Sequence, residues 1–103
     1  EAACCGALPL AAAHSGLAEV TARLAPALPA DLRDLLGFAR GPGAVEEIAA
    51  KLVRWLTLQP ERRAEASAAL AATARGQFGW ERVAEGVIAA AEGRLDALPA
   101  VGP

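Results

Sequence analysis

Tyrosine and methionine are absent from this 103-residue chain, histidine and lysine occur once each, and aromatic residues amount to only 4%. So few aromatic and β-branched residues leave little to build strands from. Alanine and leucine take their place and lead the helix scale, so the composition predicts a helical core. Hydrophobic residues make up 54% and charged residues 21%. That balance excludes intrinsic disorder, which needs few apolar residues and a high net charge. The length suits one small domain or a piece of a larger one.

Basic charge is also scarce. The formal net charge is -2, and no basic stripe marks a nucleic-acid surface. The longest apolar stretch, residues 7–13, is far short of the roughly 20 residues of a membrane span. No charged n-region and apolar h-region of a secretory signal is present. The only cysteines, Cys4 and Cys5, are adjacent. Neighbouring thiols make no disulfide framework and would strain if bonded to each other. His14 alone cannot complete a metal site with them. Two small reduced thiols on a cytosolic helix are therefore expected, with no metal and no cofactor.

Along the chain, residues 1–5 read as a helix end, with Gly6 as the left-handed residue that closes it. Pro9 stops continuation. Residues 10–13 form a short apolar run before the loop His14-Ser15-Gly16, and that setting favours a buried parallel strand. Residues 17–24 read as a short helix. Asp31 caps a turn running to Leu36, and Leu36, Gly37 and Phe38 suggest a second short strand. Gly41-Pro42-Gly43 lacks the Lys and Ser/Thr of a phosphate loop.

Three helices follow. Val45, Ile48, Ala49, Leu52 and Leu56 recur at helical spacing. Glu46 and Glu47 lie in the first turn, where the helix dipole favours them. As sequence neighbours they point apart and are read as a solvated face, not an acid/base pair. Glu47 and Lys51, four residues apart, add roughly 0.2–0.5 kcal/mol. Pro60 opens an alanine-rich helix that Gly76 is expected to end. Trp80, Val83, Ala84, Val87, Ile88 and Ala91 mark the last helix, and Gly93 stops it. Residues 93–103 are read as a loose tail.

The order of helix end, strand, helix, strand and three helices suggests an α/β domain that is helix-rich, with an incomplete parallel sheet. Two short strands do not make a self-sufficient sheet. The chain also opens on Glu1 rather than Met. Both features predict a fragment whose other strands lie upstream.

Four segments then meet a known family. Glu1-Ala2-Ala3-Cys4-Cys5-Gly6, with Pro9 and Leu10 following, is the first, and His14-Ser15-Gly16-Leu17-Ala18-Glu19 the second. Gly43-Ala44-Val45-Glu46-Glu47-Ile48-Ala49 is the third, and Phe78-Gly79-Trp80-Glu81-Arg82-Val83-Ala84 the fourth. Together they resemble the donor-binding region of retaining group 1 glycosyltransferases of the GT-B fold, the glycogen and starch synthases among them. The resemblance spans residues 1–92 and implies the C-terminal part of a Rossmann-like nucleotide-sugar-binding domain.

It implies further that Glu1 would accept hydrogen bonds from the donor ribose, as a carboxylate can. His14, Ser15 and Gly16 would border the donor, although the family has Thr-Gly-Gly there. Gly79 stands where the family has Ser or Thr before the Trp, a change that costs only a few tenths of a kcal/mol at a helix N-cap, about the difference between Gly and Ser. The complete enzyme would move a hexose from a nucleoside-diphosphate sugar to an acceptor hydroxyl with retention. Its catalytic residues and its N-terminal domain would lie outside this chain, so the chain alone is expected to be inactive. Arginine in excess over a single lysine suggests a GC-rich bacterial genome. The cytoplasm, including the inner face of its membrane, is the expected location. Two rivals stand beside this reading: a non-enzymatic helical interaction module, and a GT-B-like epimerase.

Overall fold

The computed structural model describes residues 1–98. Four α-helices dominate: α1 (Ser15–Leu24), α2 (Ala44–Leu56), α3 (Pro60–Phe78) and α4 (Trp80–Ala91). Two strands, β1 (Ala11–Ala12) and β2 (Gly37–Phe38), pair in parallel, Ala11 with Gly37 and Ala12 with Phe38. Short 3-10 turns at Ala3–Cys5, Ala25–Ala27, Ala30–Leu36 and Leu95–Ala97 complete the described chain.

The α/β, Rossmann-like expectation is corrected by this architecture. A parallel sheet in such a domain is buried on both faces by crossover helices. Here each strand has two residues, all of them only half-buried, and the sheet has two strands. The core lies elsewhere. Leu24, Leu28, Leu35 and Leu70 are fully buried, and all four sit on helices or turns. The protein is a small, mostly helical domain with a minimal open sheet.

α3 organises that core. Ala66, Leu70 and Ala74 recur every four residues and are buried together. The two alanines are small enough for α3 to sit close to the Ala3–Cys5 turn, where Ala3 is buried in the same cluster. Pro60 supplies the preset φ of a first helical residue. Gly76 does not end the helix, which continues through it to Phe78. A mid-helix glycine costs only about 1 kcal/mol relative to alanine, and Phe78 packs against the core beyond it.

The run Ala30–Leu36 is a seven-residue 3-10 segment that buries Leu32, Leu35 and Leu36. Gly6 closes the first turn in the left-handed conformation, at φ 85°, with its N–H donated to the Ala3 carbonyl. Of the tail, residues 93–98 include the left-handed Gly93 and the Leu95–Ala97 turn. Residues 99–103 lie outside the described residues.

Candidate interaction surface

An amphipathic helix ordinarily turns its apolar stripe to the core. α2 does the reverse. Its inward side carries Glu47, Ile48, Lys51 and the buried Trp55. Its outward side carries Val45, Ala49, Leu52 and Leu56, at spacings of four, three and four residues. Val45 is 75% exposed and Leu56 65%.

Trp55, packed in the core cluster, and a set of polar contacts accompany this orientation. The Lys51 ammonium donates to the Gly37 carbonyl and to Glu47 Oε1, the latter at 3.0 Å. Glu47 Oε2 accepts from the Ala39 N–H at 3.1 Å. The pair therefore ties α2 to the exit of β2. Glu47 is half-buried and hydrogen-bonded, while its neighbour Glu46 is exposed. One turn further on, Arg54 forks onto the Asp34 carboxylate and the Asp31 carbonyl. Arg62 of α3 reaches both carboxylate oxygens of Asp31 at 2.7 Å. These solvent-exposed ion pairs bridge α2, Ala30–Leu36 and α3, and the apolar stripe is left outside.

These contacts have a pH signature. Hydrogen bonds from Arg62 hold the Asp31 carboxyl below its ordinary 3.8, and those from Arg54 do the same for Asp34. Lys51, with help from the Ala39 N–H, lowers Glu47 below 4.5. A carboxylate depressed in the folded state stabilises the fold above its unfolded value. That contribution is lost as pH falls through the folded value. Urea midpoints are expected to hold steady at pH 6, then decline below about pH 4.5, the ordinary glutamate value. Asp34→Asn should lower the neutral-pH midpoint and flatten the decline. An unchanged acid slope in that variant would contradict the assignment.

α4 is turned outward more completely. Only Ala89 is buried. On the opposite side Trp80, Val83, Val87 and Ile88 form a continuous exposed stripe, Trp80 at 80% and Val87 at 64%. Trp80 and Val83 also wall a cavity of about 300 Å3 with Glu1, Cys4, Cys5 and Phe78. The apolar surface therefore continues off the helix, past two free thiols, towards the end of α3.

The residues singled out for a donor site are Glu1 and the loop His14-Ser15-Gly16. Glu1 is exposed at the rim of the Trp80 cavity, which none of His14, Ser15 and Gly16 lines. His14 precedes α1 in extended conformation, with Nδ1 2.8 Å from Ser15 Oγ. Ser15 has a left-handed φ of 51°, and a Cβ added at Gly16 would meet nothing within 4 Å. Among the described residues, no group of three or more His, Cys, Asp and Glu side chains could hold a metal ion. No described helix is long and apolar enough to cross a membrane.

Periodicity already marked the residues of both stripes. What it could not mark is direction. The one sequence sign for α2 is Trp55, the bulkiest residue of the helix, which lies off the Val45–Leu56 stripe.

A scan against protein-family models, a search of curated proteins and a search of solved structures each return no match. The resemblance to GT-B glycosyltransferases is thereby overturned from two sides, by the comparisons and by the helical fold. The hexosyl-transfer activity falls with it. So do the nucleoside-diphosphate sugar donor and the companion N-terminal catalytic domain, which the resemblance alone implied.

Proposed function

We propose that this chain is a non-enzymatic helical interaction module that offers the outward stripes of α2 and α4 to partner helices. The observation that carries the reading is the inversion of both helices. Each leaves a row of apolar side chains in water, Val45, Leu52 and Leu56 on α2 and Trp80, Val83 and Val87 on α4, while α2 anchors through Trp55 and α4 through Ala89. Monomeric proteins rarely keep contiguous apolar patches exposed without a use for them. An amphipathic helix laid along such a face buries anchors at helical spacing. The two free thiols suit a reducing compartment, so we place the module in the cytoplasm.

The reading is tested by charging each stripe. Leu56→Glu on α2 and Val87→Glu on α4, each compared with the parent in chain dilute enough to be monomeric, are expected to shift the unfolding free energy by no more than about 0.5 kcal/mol, as surface changes do. Circular dichroism during urea titration measures it. A loss of several kcal/mol in either variant would mean that the stripe is core, and would sink the proposal for that helix.

A further inference from the structure

We infer that the α4 stripe is covered by a second copy of this chain, with the two α4 helices packed antiparallel across a two-fold axis. The inference rests on the interaction-module reading and adds the identity of the partner at α4.

Surface area is the first argument. The chain exposes 6726 Å2, whereas a folded monomer of this mass exposes about 5,400 Å2, leaving an excess of roughly 1,300 Å2. Charging residues 99–103 with the full surface of an extended chain, about 600 Å2, still leaves roughly 700 Å2. That excess belongs to the whole chain and is shared by the exposed stripes of α2 and α4; one side of a standard protein interface buries about 800 Å2. The shape agrees. The radius of gyration is 15.6 Å and the extents are 48 × 33 × 20 Å, against a radius of about 13 Å for a compact domain of this length.

α4 itself is the second argument. A helix of 12 residues is marginal in water and draws its stability from tertiary packing of its apolar side. In this chain that packing buries Ala89 alone. Among the described residues, nothing covers its other side.

The third argument is the order of large and small residues. Trp80, Ala84, Val87 and Ala91 follow one another at four, three and four residues, the spacing of a coiled-coil seam. In an antiparallel pair Trp80 meets the partner's Ala91, and Ala84 meets the partner's Val87. Large side chains thus face small ones along the whole seam. A parallel pair would stack Trp80 on its own copy and leave a gap at each alanine. Charge is compatible as well. Glu81 falls opposite the partner's Ile88, so no two carboxylates face each other across the seam. A two-fold interface of this kind is self-complementary and closes after two chains.

Sedimentation equilibrium of the intact chain over micromolar to millimolar concentration tests the inference. The expected mass is twice 10.4 kDa at the upper end. Val87→Glu should weaken association by about 100-fold or more, because each half would bury an unpaired carboxylate. Leu56→Glu, on α2, should associate as the parent does.

In the unmutated chain labelled with 5-fluorotryptophan, the Trp80 resonance should move on dilution while that of the buried Trp55 stays. Trp55→Phe assigns the two signals. A monomer throughout would overturn the dimer and leave the module reading standing, with a different chain on α4. Association that survives Val87→Glu, or is lost in Leu56→Glu, would also overturn it. If Val87→Glu unfolds the chain, both readings fail together.

Discussion

Leu70→Ala lowers the unfolding free energy by about 2–5 kcal/mol, the range of buried leucine truncations. Several features place it in the upper part of that range. Leu70 is 0% exposed and sits midway along α3. Its neighbours on the buried side of the helix are Ala66 and Ala74, which have no side-chain length with which to fill a void. The lining of the new cavity would come from Leu24, Leu28 and Leu35, themselves fully buried in the same cluster. Native domains hold only about 5–15 kcal/mol in total. The loss should therefore be visible as a large fall in the urea midpoint, followed by far-UV circular dichroism. Leu95→Ala is the matched control, since Leu95 is exposed and its truncation should change little. Equal effects at the two positions would mean that the core has been placed on the wrong side of α3.

The same alanines explain what could be read from the sequence and what could not. Helix positions were legible because spacing and end residues are local. Gly43 followed by Glu46 and Glu47 begins α2, and Pro60 begins α3, as helix-start chemistry requires. That chemistry is also generic. A glycine, an acidic first turn and an Ile-Ala pair open many helices, so the likeness of residues 43–49 to a glycosyltransferase motif reflects helix initiation and not ancestry. The glycine-closed turn at residues 1–6 and the Phe-Gly-Trp junction are similarly local signals. In a chain this rich in alanine, leucine and glycine, such short matches accumulate without a common fold.

The strand signal failed for a different reason. Residues 10–13 do carry β1, but a strand amounts to a sheet only when other strands pair with it, and pairing is not local. The direction of α2 was hidden in the same way. It depends on Lys51 finding the Gly37 carbonyl and Arg54 finding Asp34, contacts between residues far apart in sequence. Nothing in the periodicity of α2 distinguishes a stripe that faces a core from one that faces a partner.

The junction of α3 and α4 yields the second large effect, and its sign runs against the expectation drawn from sequence. Gly79→Ser should destabilise the fold by about 1–3 kcal/mol, the cost of forcing atoms into filled space. By residue type alone the change looks harmless, since serine is the better helix N-cap by a few tenths of a kcal/mol, roughly. Gly79, however, serves two helices at once. It follows the last residue of α3, donates its N–H to the Arg75 carbonyl at 3.1 Å, and caps α4 at φ -67° and ψ 155°. The φ is ordinary, so backbone strain is not the obstacle. A Cβ here would lie 2.5 Å from the Arg75 carbonyl oxygen. That atom is main chain, held by the helix, and cannot swing aside as a side chain would. Relief requires the last turn of α3 to open or α4 to tilt, and either movement displaces Phe78 from the core and Trp80 from its stripe. Gly76→Ala provides the opposite sign three residues earlier. A Cβ at Gly76 meets nothing within 4 Å, and alanine inside a helix gains about 0.5–1 kcal/mol over glycine. Thermal and urea unfolding of the two variants should move apart, Gly76→Ala upward and Gly79→Ser downward. If both rise, the close approach at the junction does not exist, and α3 and α4 meet at a different angle from the one described.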